Sequence, residues 1–156
     1  MRPYHLLFSV LALLAITACG PEETEKKVYP EITTLEGTIW NSYDAKSDIY
    51  YDIYYNTNGQ GQMLGYDTAE RNEGDVIVDR AFAYSYTRAT VNADALVDVQ
   101  FEDGQCYGGI LVPKGNFKVN NKDVYLIQLY ELTAAGGDVA YDDKGNFKSM
   151  LQMWME

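Results

Sequence analysis

Tyr50, Asp52 and Tyr54 alternate along one stretch of chain, so a strand there sets two phenol rings and a carboxylate side by side on one face. Flat aromatic faces beside an acid can stack on a saccharide ring, and Trp40 adds another ring as a candidate ligand contact. The same tyrosines also suit a half-buried strand with no ligand, and the sequence alone admits both readings. Other chemistries find less support. Asp142-Asp143-Lys144-Gly145-Asn146 comes nearest to a calcium loop, but it lacks the alternating spacing that converges oxygens on the ion and reads as a turn. No pair among the 23 acids is marked as a glycosidase dyad. Ser42, Ser47, Ser85 and Ser149 are followed three places on by Ala45, Tyr50, Arg88 and Gln152, so the lysine-activated serine pattern is missing.

The single histidine, His5, lies in the leader. Leu6 to Ile16 is an apolar run of signal-peptide length, short of the roughly 20 residues a membrane-spanning helix needs. Arg2 precedes it, and Ile16-Thr17-Ala18-Cys19 followed by Gly20 resembles the lipobox of bacterial lipoproteins. That resemblance implies removal of residues 1–18, diacylglycerol on the Cys19 sulfur and a membrane anchor at the new amino terminus; the alternative is an ordinary secretory signal with an incidental cysteine. Two or more acyl chains hold a protein stably on a bilayer. The mature chain then has no imidazole, which removes histidine-based nucleophile activation and nearly all zinc, copper and non-haem iron sites. The expectation is a protein that is not an enzyme and carries no metal or cofactor.

The 138 residues left after cleavage suffice for one domain with a sizeable core. Eleven basic residues against 23 acids give them a formal charge of −12, which repels phosphate backbones and argues against nucleic acid as a partner. With Cys19 lipidated, Cys106 has no intrachain partner, and its strand-like setting reads as a small buried hydrophobe.

Residues 19–34, with Pro21, Pro30 and four glutamates, read as an extended acidic tether, reaching roughly 45 Å at about 3.1 Å per residue. Glu22 and Glu23 also resemble the surface-export signals of Bacteroidetes lipoproteins, which places the protein on the outer membrane and on the cell surface if the signal operates. From Leu35 to Glu156 the apolar residues recur at period two between turn residues. Leu35 to Tyr43 is a first strand, with Leu35, Gly37, Ile39, Asn41 and Tyr43 on one side and Trp40 on the other. Ile49 to Asn56 and Gln62 to Asp67 make a hairpin through Asn58-Gly59, and Thr68 to Asp75 is a loop. Val76 to Thr87 sets Val76, Val78, Phe82, Tyr84 and Tyr86 in one row, with Arg80 among them. Ala95, Val97, Val99 and Phe101 form the next apolar face, and Asp103-Gly104 turns the chain into Cys106 to Val112. Pro113, Gly115 and Asn120-Asn121 read as a connection before Val124 to Leu132, apolar on both faces. Met150 to Met155 closes the chain as a strand or a short helix. About eight strands joined by tight turns predict an antiparallel up-and-down β-barrel, with a β-sandwich as the alternative.

Gly37-Thr38-Ile39-Trp40, the tyrosine-rich hairpins, and Asp103-Gly104 with Gly108-Gly109-Ile110 resemble the small lipocalin-like or calycin-like lipoproteins of Bacteroidetes. The resemblance covers Leu35 to Leu132 and implies an eight-stranded barrel with an open mouth and no catalytic residues. The function expected is binding of a small hydrophobic or glycan ligand, at Trp40, Tyr50, Asp52 and Tyr54; the alternative is contact with another envelope protein through the barrel surface.

Overall fold

The computed structural model describes residues 25–156. The expected signal segment 1–18, Cys19 and residues 20–24 lie outside the described residues. Eight antiparallel strands close into an up-and-down barrel in sequence order: β1 (Thr38–Asp44), β2 (Ile49–Tyr55), β3 (Gln60–Tyr66), β4 (Val76–Thr87), β5 (Ala95–Phe101), β6 (Cys106–Val119), β7 (Lys122–Leu132) and β8 (Met150–Met155). Among the described residues strand occupies 58% and helix 5%, so the period-two reading holds and the barrel, not the sandwich, is the architecture.

Alternation builds the wall. Along β5, Ala95, Val97, Val99 and Phe101 are buried while Leu96, Asp98 and Gln100 face out. Trp40, Ile53, Tyr55, Phe82, Ile127, Leu129 and Met153 come inward from the other strands and are at most 2% exposed, forming one continuous core. Tyr55, Phe82, Phe101 and Tyr107 pack edge to face in a chain, with ring centroids 5.5, 5.7 and 5.9 Å apart. Gly61 makes room for it, since a Cβ there would lie 2.2 Å from the Phe82 ring.

Turn chemistry fixes the register. Asn58 and Gly59 adopt positive φ of 58° and 68° between β2 and β3, as a tight turn requires. Between β6 and β7 the turn is Asn120-Asn121 alone, at φ 50° and 63°. The stretch from Pro113, expected as a connection, instead continues β6 to Val119. Pro113 and Gly115 fall within a register shift between Val112 and Phe117, where a residue with no N–H breaks no ladder bond, and pairing resumes at Phe117↔Val124. Met150–Met155 is a strand, which settles the choice left open at that end of the chain.

The barrel's two ends differ. At one end the incoming chain crosses the opening: Leu35 is fully buried, the Tyr86 hydroxyl donates to the Ile32 carbonyl at 2.7 Å, and the Tyr125 hydroxyl donates to the Pro30 carbonyl at 2.6 Å. Arg88 pairs with Glu31 at 3.2 Å, and the Tyr29 hydroxyl donates to Asp123. The last part of the segment read as a tether, from Tyr29 onward, thus lies against the barrel as a strap. The other end is open.

Candidate functional site

At the open end, the last residues of β1, β5 and β7 meet the first residues of β2, β6 and β8. Only one register pair, Asn41↔Trp154, joins β1 to β8; beyond it the Ser42 hydroxyl donates to the Gln152 carbonyl at 2.5 Å. A cavity of about 630 Å³ opens there, running from the β1–β8 seam into the barrel over Tyr51, Met63, Tyr107, Leu151 and Met153. Its rim carries Lys46, Arg80, Gln105 and Lys148.

The rim side chains brace one another. Arg80 lies on the Phe101 ring, its guanidinium carbon 3.8 Å from the centroid, and donates through Nη2 to Asp103 at 2.9 Å and Gln105 at 3.0 Å. Gln105 donates in turn to Glu131 at 3.3 Å, and Lys148 meets the other Glu131 oxygen at 2.7 Å. The Glu131 side chain is only 8% exposed, so this pairing is what makes its charge tolerable there. The same carboxylate raises the Lys148 pKa by hydrogen bonding and charge. Tyr107 and Ser149 share a hydrogen bond of 3.0 Å across the cavity wall. Burial pushes the Tyr51 and Tyr107 phenols above their ordinary range, so both remain protonated and can donate at neutral pH.

Tyr50, Asp52 and Tyr54 do share one face of β2, on the outside of the barrel and half-buried. The loop between β3 and β4 lies over them. Arg71 Nε stands 3.2 Å from Asp52 Oδ1, and its guanidinium carbon is 5.8 Å from the Tyr50 ring centroid. Tyr43 packs against Tyr50 with centroids 4.7 Å apart and donates to Asp48 at 2.8 Å. Burial raises the Asp52 pKa and Arg71 partly offsets it. The carboxylate meant for a sugar hydroxyl thus already faces a cation within the protein, although Arg71 Nε is buried without a well-aligned hydrogen bond to it. Trp40 points the other way, into the barrel, where it is fully buried and donates its indole N–H to Thr38 Oγ1 at 2.8 Å. It is core, separated from the tyrosine face by the barrel wall.

Sequence reasoning named none of the rim residues as a site, although a signal was present. Arg80 and Glu131 each continue an inward apolar row, of β4 and β7 respectively, and a charge in such a row either marks an end of the barrel or needs a partner. Gln105 and Lys148 come from turns, where no periodicity points to them. Tyr141 and Phe147, 57% and 51% exposed, also went unnamed; Phe147 sits between Tyr130 and Tyr141 on the outer surface, with centroids 4.5 and 5.5 Å away.

Among the described residues, no group of three or more histidine, cysteine, aspartate or glutamate side chains is placed to hold a metal ion. Comparison of this chain with family models, with curated proteins and with solved structures finds no match.

Proposed function

We propose that this protein is a lipid-anchored, non-catalytic module of a bacterial outer membrane that binds a small hydrophobic or saccharide ligand in the open mouth of its barrel. The observation that carries the reading is the cavity of about 630 Å³ above a filled floor. Its volume lies within the roughly 300–1,000 Å³ of small-molecule pockets, and it combines apolar walls with a few convergent polar groups. The lipobox-like Ile16-Thr17-Ala18-Cys19 supports the anchor, and the eight-stranded closed barrel agrees with the lipocalin-like resemblance of the sequence. The binding residues in this reading are Tyr51, Arg80, Tyr107 and Ser149, not Tyr50, Asp52 and Tyr54, because Arg71 already pairs with Asp52.

A thermal-shift screen of glycans and small hydrophobic compounds tests it. A ligand at 100 times its Kd adds about 2.7 kcal/mol of stability. Tyr51→Ala should abolish the shift of any hit, whereas Tyr50→Ala with Tyr54→Ala should leave it intact; the reverse pattern moves the site to the outer face. The anchor is tested separately. Intact mass of the membrane-extracted protein should show an acylated chain beginning at Cys19, and Cys19→Ser should release the protein from the membrane.

A further inference from the structure

We infer that the ligand of the barrel mouth is a compact ring that carries a carboxylate. The inference rests on the proposed binding role of that cavity and narrows its ligand to one chemical class.

Charge is the first argument. The whole chain carries 23 acids against 12 basic residues, yet the cavity lining holds three cations, Lys46, Arg80 and Lys148, and a single acid, Asp44. The Asp44 carboxylate is already engaged, by the Ser47 hydroxyl and by the backbone N–H of Lys46 at 2.9 Å. Asp103 and Glu131, which pair with Arg80 and Lys148, line an adjoining cavity that shares Gln105 and Lys148 with the mouth, and they hold the two cations in place. Arg80 makes both of its side-chain bonds through Nη2, which leaves Nε and Nη1 without an acceptor among the described residues. A guanidinium held over the Phe101 ring with free N–H groups is a fixed donor for an anionic oxygen.

Shape is the second argument. Trp40, Ile53, Tyr55 and Phe82, all at most 2% exposed, fill the barrel beneath the cavity, and Leu35 lies buried at the far end. An extended acyl chain entering from the mouth meets this packed floor and has no tunnel to follow. Half-buried Tyr51 and Leu151 instead offer a flat and an apolar wall to a ring, with Tyr107 and Met63 buried behind them, and the protonated Tyr51 hydroxyl can bond a ring substituent. A sugar acid and an aromatic acid share this chemistry.

Titration calorimetry on the intact lipoprotein in detergent, with matched probes, tests it. Glucuronate is compared with glucose, and benzoate with benzyl alcohol; octanoate serves as the chain-shaped acid. At least one ring acid should bind, and at least about tenfold more tightly than its neutral partner, the worth of one charge-assisted hydrogen bond. Which acid binds identifies the source as saccharide or aromatic. Arg80→Gln should remove that tenfold preference, and adding salt to the unmodified protein should weaken the acid but not the neutral probe, a readout that holds even if the variant does not fold. Equal binding of neutral and acidic probes, or octanoate matching the ring acids, overturns the inference while the mouth remains a ligand site. Silence from every probe overturns the inference, and if the wider thermal-shift screen is silent too, the proposed function fails with it.

Discussion

At the closed end of the barrel, Leu35 is buried without residual exposure, and Tyr86 and Tyr125 donate to the backbone carbonyls of Ile32 and Pro30. At the mouth, Arg80, Gln105, Glu131 and Lys148 form a run of charged and amide contacts beside the open cavity. Both ends sit on the same strands and share one core. Paired charges occur at both, Arg88 with Glu31 at the closed end and Arg80 with Asp103 and Lys148 with Glu131 at the mouth; what the closed end adds is a fully buried Leu35 and bonds to backbone carbonyls. An end sealed by apolar burial is stable and inert, while an end held by exposed and half-exposed charges is less stable and presents hydrogen-bonding groups to an incoming molecule. Stability and binding are therefore expected to separate along the barrel axis.

The largest effect should come from emptying the floor. Trp40→Ala removes a fully buried indole near the closed end and should cost about 3–5 kcal/mol, measured as a fall in the urea midpoint at unchanged slope. A loss no greater than that of a surface substitution would break the contrast between the ends. Gly61→Ala should come next, at about 1–3 kcal/mol, because the added methyl meets the Phe82 ring and the floor must shift. Tyr125→Phe removes one strap bond and leaves the Pro30 carbonyl without that donor, so it should cost about 1 kcal/mol and speed amide exchange at Gly37 and Thr38. At the mouth, Lys148→Met leaves the buried Glu131 carboxylate with Gln105 as its remaining donor and should cost about 1 kcal/mol, the low end for an orphaned buried group, because the lysine itself is 59% exposed. If Lys148→Met proves as costly as Trp40→Ala, the mouth is as structural as the floor.

Acid sharpens the same comparison. Hydrogen bonds from Ser47, Tyr29 and the Asn146 backbone hold Asp44, Asp123 and Asp142, respectively, below their ordinary carboxylate range. A folded pKa below the unfolded one contributes stability that is present above the unfolded value, near 4, and lost as pH falls through the folded value. Asp52 works in the opposite sense, because burial raises its pKa and protonation favours the folded form. Melting temperature should therefore fall on acidification below about pH 4. Tyr29→Phe, at the closed end, should flatten that fall slightly without changing the mouth.

How much of this was readable in advance depends on the range of the interaction. Ala95, Val97, Val99 and Phe101 announce their face by alternation, and Asn58-Gly59 announces its turn, because both signals lie within a few residues of chain. Pro113 misled for the same reason. A proline looks like a break when read locally, and only the pairing of Phe117 with Val124 shows that β6 resumes beyond it. The shared face of Tyr50, Asp52 and Tyr54 was also legible. Arg71, which covers it, lies 19 positions after Asp52 in a stretch without periodicity, so its approach was not.

The sequence by itself determined the strands, most of the turns, which side chains alternate together, and the all-β architecture, since each follows from local backbone preference and the period-two placement of apolar groups. Only the tertiary structure decided which row of β7, apolar on both faces, points inward, that Tyr29 to Leu35 strap one end shut, and that Arg80, Gln105, Glu131 and Lys148 converge at the other. The physical reason is closure. Joining β8 to β1 brings together residues far apart in the chain, such as Ser42 and Gln152, 110 positions apart, and no local pattern of residue types encodes which distant side chains will share the mouth.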